Sequence, residues 1–283
     1  MYITFTNANG DSLDFFGSGY KLTSWAGFDT VIEINSEAVP YGDGEVLNYE
    51  RHPMRAMTIN LTLTGTNEDE IRQKLRYLKK LHSKNTSGYG YLTCVTPSKT
   101  YIIYVKPETV NETNDLGSGN LYLYAQTGYR ALDPFFYDSA YTETTLLGET
   151  GGFAIPMTIP WGGGTSGDTD IIANLGDIDM PFTLTIKGRT GYPCLLDNTH
   201  SLLIQYNDYV NVGETLVISS AKGSRTATLV DINGVTWNVL DKISDDSTIF
   251  TFEQGSTSMT YYDIYRDATS EIKLKYHQGY NGI

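Results

Sequence analysis

Met57-Thr58-Ile59-Asn60-Leu61-Thr62-Leu63-Thr64 alternates apolar and polar residues without a break. A strand with one face in a core and the other in water needs that period of two, so this stretch points to a β protein. Shorter runs of the same kind recur at residues 101–106, 120–126, 181–187, 215–219, 248–253 and 271–276, separated by clusters of Gly, Asn, Asp and Pro. Short strands at such spacing favour sandwiches over a parallel sheet. The 22 Tyr and 28 Gly, with abundant Thr, suit half-buried strand faces joined by tight turns.

One segment departs from the β pattern. Asn67 is placed to cap a helix, with Glu70 reaching back in a capping box, and Ile71, Leu75, Leu78 and Leu81 follow at helical spacing. The pattern predicts one amphipathic helix over about residues 67–83. Glu68, Asp69 and Glu70 at its start and Lys79, Lys80 and Lys84 toward its end complement the helix dipole, so these basic residues are read as helix chemistry.

The 283 residues suffice for two domains. After residue 138, Gly148, Gly151, Gly152, Pro156, Pro160 and Gly162-Gly163-Gly164 crowd together. The expected division is therefore 1–138, β with the helix, and 139–283, all β. Cys94 and Cys194, a hundred positions apart, have neither metal-knuckle nor redox spacing and are read as buried thiols. The residues after Met1 lack a basic region and a long apolar run, so neither a signal peptide nor a membrane span is expected. The net charge is −13, with 12 basic against 16 acidic residues in 1–138 and 8 against 17 in 139–283. Such a balance disfavours nucleic acid and anionic lipid and serves solubility.

Candidate chemistry is sparse. Gly162 to Gly167 lacks the lysine of a phosphate loop and reads as a loop. Asp168, Asp170, Asp177 and Asp179 alternate like calcium ligands, but the glycine and closing glutamate of a calcium loop are missing. His52, His82, His200 and His277 are dispersed and show no zinc spacing. No Gly-x-Ser-x-Gly elbow occurs. Tyr261, Tyr262, Tyr265, Tyr276 and Tyr280 are able to stack on sugar rings, yet packing or subunit contact uses Tyr equally well. No catalytic, metal or cofactor site is assigned.

An ordered series of short motifs carries a family resemblance. It begins with Trp25-Ala26-Gly27 and Val39-Pro40-Tyr41-Gly42-Asp43-Gly44, then Arg55 leading into the strong strand and the helix. It continues through Tyr129-Arg130-Ala131-Leu132-Asp133-Pro134-Phe135-Phe136-Tyr137, then Ile172-Ala173-Asn174-Leu175-Gly176-Asp177, Gly213-Glu214-Thr215-Leu216 and the closing residues 276–283. This series resembles the distal tail protein family of siphoviruses, the long-tailed bacteriophages. Tyr192-Pro193 departs from it, since the family often has Asn-Pro there.

The resemblance implies a structural, non-enzymatic baseplate hub protein of a phage or prophage, with an N-terminal β-sandwich-like domain and a C-terminal galectin-like β-sandwich. It implies a hexameric ring at the virion tail tip, assembled in the host cytoplasm. Implied partners are the tail tube protein, a tail-associated lysin or fibre hub and, at the periphery, a receptor-binding protein or host surface carbohydrate, with no cofactor. The loop from Pro40 to Gly44, the helix, Arg55 and the segment Asp133, Pro134, Phe135, Phe136 and Tyr137 are expected to contact neighbouring subunits or the domain junction. The alternatives are a carbohydrate-binding adhesion module, from the Tyr content, and a cell-wall enzyme, from carboxylates that almost any chain supplies.

Overall fold

A computed structural model describes residues 1–83, 88–113, 121–146, 169–221, 223–264 and 270–283. They form two compact units: Met1–Ser139 together with Tyr280–Ile283, and Ala140–Gly279. The last four residues, assigned from sequence to the second domain, thus belong to the first unit. Lys84, Asn120, the run from Gly148 to Gly167, Asp168 and Tyr265 lie outside the described residues.

Unit 1 runs β1 (Tyr2–Thr6), β2 (Ser12–Asp14), β3 (Tyr20–Ala26), β4 (Glu33–Ala38), β5 (Glu45–Arg51), β6 (Arg55–Thr64), α1 (Glu68–Leu81), β7 (Gly90–Val95), β8 (Thr100–Thr113), β9 (Tyr122–Ala131) and β10 (Phe136–Asp138). The main sheet has the order β2-β1-β7-β8-β9-β6-β3. β8 serves both halves, pairing with β7 over residues 100–105 and with β9 from Lys106 onward, and its register slips between Pro107 and Thr109. Proline has no N–H for the ladder, so a bulge forms there and the strand turns. Both halves then bury their apolar faces in one core with α1. Met57, Ile59, Leu61 and Leu63 of β6 are at most 1% exposed, as the alternation requires.

α1 forms as its sequence pattern predicts, with Ile71, Leu75, Leu78 and Leu81 buried. Asn67 Oδ1 accepts the Glu70 N–H at 2.9 Å. The Glu70 carboxylate, however, reaches one residue past the cap, accepting the Thr66 N–H at 2.7 Å and its hydroxyl at 2.8 Å. His82 closes the helix, its Nδ1 2.9 Å from the Leu78 carbonyl, and its ring packs between Phe5 and Tyr129 with centroids 5.2 and 5.0 Å away. Nδ1 donates, so Nε2 holds the lone pair, and burial pushes the His82 pKa down.

Unit 2 contains β11 (Thr142–Thr145), β12 (Thr169–Asn174), β13 (Phe182–Lys187), β14 (Thr190–Asp197), β15 (Leu202–Gln205), β16 (Tyr209–Val210), β17 (Thr215–Ser219), β18 (Thr226–Val230), β19 (Thr236–Asn238), β20 (Gly255–Ile264) and β21 (Glu271–Tyr276). One sheet is ordered β11-β21-β13-β17-β18-β19, and the other β12-β20-β14-β15 with β16 also on β14. Leu184, Ile186, Leu216 and Leu274 from the first sheet and Leu195, Ile204, Met259 and Tyr261 from the second share one core, which makes the unit a sandwich. A last short strand, β22 (Gly279–Tyr280), pairs with β10.

One local expectation needs correction. Residues 248–253 alternate as a strand would and bury Phe250 and Phe252, but they touch the ladder only through the isolated bridge Met180–Phe252. Thr248 N–H bonds the Leu203 carbonyl whereas Phe252 exchanges both of its backbone bonds with Met180, so no single partner strand runs beside them. The Tyr192-Pro193 turn is a bulge: the β14–β20 register breaks between Gly191 and Cys194, and Tyr192 takes φ 51°.

His82 gives unit 1 a pH dependence. Its folded pKa lies below the ordinary value of about 6.5, so its share of stability is complete above that value and is lost as pH falls toward the folded pKa. The melting temperature of unit 1 should fall between pH 7 and pH 5 by calorimetry. His82→Phe, which keeps the ring packing, should flatten that slope.

Candidate assembly surface

β4 and β5 form a hairpin that makes a sheet of its own. The turn between them suits its sequence: Tyr41 and Gly44 take positive φ of 61° and 91°, and Gly42 N–H bonds the Val39 carbonyl at 3.2 Å. The pairing runs from Glu33–Arg51 to Ala38–Glu45 with a bulge after Asn35, where Asn48 Nδ2 donates to Asn35 Oδ1 at 2.9 Å. Every residue from 34 to 51 is exposed. Among them are Ile34 at 65%, Val46 at 58% and Leu47 at 55%, together with Tyr49 and a fully exposed Tyr41. A lone two-stranded hairpin is marginal in water, and so much exposed apolar surface marks an interaction site.

What holds the hairpin is at its roots. Arg55 follows it by four residues and is 4% exposed. Its guanidinium donates to four carbonyls: Nε to Pro134 at 2.8 Å, one terminal nitrogen to Gly27 at 3.2 Å and Asp29 at 2.7 Å, the other to Asn281 at 2.5 Å. The Phe136 ring lies 5.0 Å from its central carbon. Gly27 and Asp29 precede the hairpin, so one side chain clamps both of its feet. His52 adds a second tie, Nδ1 to the Val31 carbonyl at 3.2 Å. Gly27 has to be glycine, because at φ 85° a Cβ would sit 2.1 Å from the Ala56 carbonyl oxygen.

The residues expected to contact neighbours therefore separate into two sets. Pro40 and Gly44 stand at the exposed hairpin tip. Arg55, Phe136 and Tyr137 are buried in unit 1, where their side chains help close that unit's fold. Asp133 accepts the Tyr137 hydroxyl at 2.8 Å, Pro134 offers its carbonyl to Arg55, and Phe135 is half-buried against the edge of His52. Burial and the neighbouring Asp133 carboxylate push the Tyr137 hydroxyl pKa up. The hairpin itself was missed from sequence because acidic residues interrupt its alternation; the Pro-Tyr-Gly-Asp-Gly turn between two short runs was its signal.

The remaining candidates do not converge. Tyr261 and Tyr276 are buried in the unit 2 core, Tyr262 is exposed, and Tyr280 sits in unit 1 edge-on to Tyr101, so they make no common stacking platform. Among the described residues no group of three or more His, Cys, Asp or Glu is arranged to hold a metal ion. His200 lies 2.8 Å from buried Asp197 and 3.5 Å from Glu253, with its pKa raised chiefly by the Asp197 bond. Cys94 and Cys194 are free; Cys94 is buried, its pKa pushed to about 12, and Cys194 is half-buried. In the motif at 172–177, Asn174 ties the turn by bonding the Ile178 and Phe252 carbonyls, and a Cβ on Gly176 would meet the Gly279 oxygen at 2.3 Å.

Similar solved structures are phage hub and baseplate proteins. The phage SPP1 Dit protein (gp 19.1), described as a paradigm of the hub adsorption apparatus in phages infecting Gram-positive bacteria, matches with a TM-score of 0.68 at 14% identity over 98% of both chains. A chain of the phage P2 baseplate in its activated conformation with Ca matches with a TM-score of 0.58 at 11% identity, covering 100% of this chain and 99% of that one. The chain has the fold of a phage distal tail protein. No family model and no curated protein matches its sequence. In this distal tail protein fold, both described units are covered by the likeness.

Arg55→Met should remove the shared donor of four carbonyls that lie partly buried around it and cost unit 1 about 1.5–3 kcal/mol. Denaturant unfolding checks the magnitude. Hydrogen exchange should show residues 280–283 and the hairpin roots losing protection first.

Proposed function

We propose that this chain is a structural subunit of a siphovirus tail tip, copies of which close into a hexameric ring that joins the tail tube to the adsorption apparatus. The observation that carries the reading is the end-to-end likeness to the SPP1 hub protein, over 98% of each chain. The exposed hairpin on its clamped base supports self-assembly. A ring requires a patch on one copy to meet a different patch on the next, and an apolar arm projecting from one side of a subunit meets that need. Its work is assembly and not turnover. By the same reading its partners are the tail tube protein above, a tail-associated lysin or fibre hub below, and a receptor-binding protein at the periphery, in a virion assembled in the bacterial cytoplasm.

Light scattering with negative-stain images of the purified chain should show a ring with a central channel. A particle of some other closed number would overturn the hexamer and keep the ring. Ile34→Ser with Leu47→Ser should reduce ring formation at least about tenfold while changing folding stability by less than about 0.5 kcal/mol, because both side chains are exposed in the single chain. Equal loss of stability and assembly would assign these residues to the subunit's own fold.

A further inference from the structure

We infer that the acidic hairpin β4–β5 of one copy docks on the basic solvent face of helix α1 of the next copy. This contact rests on the assembly reading and names both of its surfaces. The hairpin carries Glu33, Glu37, Asp43, Glu45 and Glu50 against the single cation Arg51, which is paired with Glu33. Glu37, Asp43 and Glu50 make no ion pair among the described residues, and Glu45 is bonded only to the Ser36 hydroxyl. On one face Glu50 lies opposite Ile34, Leu47 opposite Ser36, and Glu45 opposite Ala38. That face therefore presents two exposed aliphatic side chains framed by two carboxylates.

α1 is its complement. Beyond the first turn it carries Arg72, Lys74, Arg76, Lys79 and Lys80 and no acidic residue, in a chain whose net charge is −13. Lys74 is spent on Glu70 and the Thr64 carbonyl, and Lys79 on Glu112. Arg76 and Lys80, four residues apart on the side away from Leu75 and Leu78, are exposed and make no ion pair among the described residues. Arg72 holds only an exposed pair with Glu68, which costs little to exchange. Tyr77, 38% exposed, offers a ring beside them to the aliphatic pair. Arg72 to Lys80 spans about 12 Å along the helix, and Glu45 to Glu50 about 15 Å along the strand, within reach of long side chains.

The net charge argues for this pairing. Copies carrying −13 each repel one another, so association needs a local match of opposite sign, and the hairpin and α1 supply that match. The two surfaces also differ, as a closing head-to-tail contact demands.

The test is a charge exchange in the full chain. Glu45→Lys with Glu50→Lys, and separately Arg76→Glu with Lys80→Glu, should each raise the concentration for half-assembly by about tenfold or more. An equimolar mixture of the two variants should assemble like the unaltered chain, because every hairpin then meets a helix of opposite sign. Raising sodium chloride from about 0.1 M to about 1 M should weaken assembly of the unaltered chain, as screening shortens the reach of exposed charges. Variants that assemble normally alone, a mixture that does no better than its parts, or salt-indifferent assembly would overturn the contact and leave the ring reading standing. A chain that stays monomeric to its solubility limit would overturn both.

Discussion

A single buried cation organises unit 1. Arg55 is out of water with no carboxylate hydrogen-bonded to it, and its charge is compensated by four carbonyl dipoles, a ring face and the nearby Asp29 charge. Guanidinium suits this site because its planar fork offers five donors in fixed directions, whereas an ammonium offers three from one point. The four carbonyls come from segments far apart in sequence: the end of β3, the lead into the hairpin, the turn before β10 and the residues after β22. Each of these partly buried carbonyls bonds to a charged donor, so each segment is held by a charge-assisted hydrogen bond to the same side chain.

That node explains how an exposed hairpin keeps a definite position. Two strands with both faces in water gain little from burial and lose backbone entropy on ordering. The hairpin is defined instead at its feet, where Arg55 gathers Gly27 and Asp29 and where His52 meets Val31. Its apolar and acidic side chains are exposed on both faces. The hairpin's position is thus set by buried residues at its base, and its own side chains stay exposed.

The most regular segments were the most legible. β6 and α1 follow their periodicities almost residue for residue, because each buries one face against a single continuous core. Arg55 was picked out, but as a contact residue. It stands two positions before Met57, on the inward parity of the same strand, and that parity already placed it inside. Residues 248–253 show the opposite failure. Alternation reports which side chains are buried and says nothing about whether a partner strand lies alongside. The tyrosines close in sequence near the end of the chain are separated by the fold, since neighbours along a strand point to opposite faces and the last of them belongs to the other unit.

From its residues alone the chain declares its β class, the amphipathic helix α1, the long strand β6 and an ordered set of turns whose chemistry is local. Those features depend on side-chain periodicity and on backbone preferences spanning a few residues. The return of Tyr280–Ile283 to unit 1, the gathering of Gly27, Pro134 and Asn281 around Arg55, and the isolation of the β4–β5 hairpin were decided only in three dimensions. Each depends on contacts between residues distant in sequence, and no local preference encodes which carbonyl a buried guanidinium will find or which strands will be left without a neighbour.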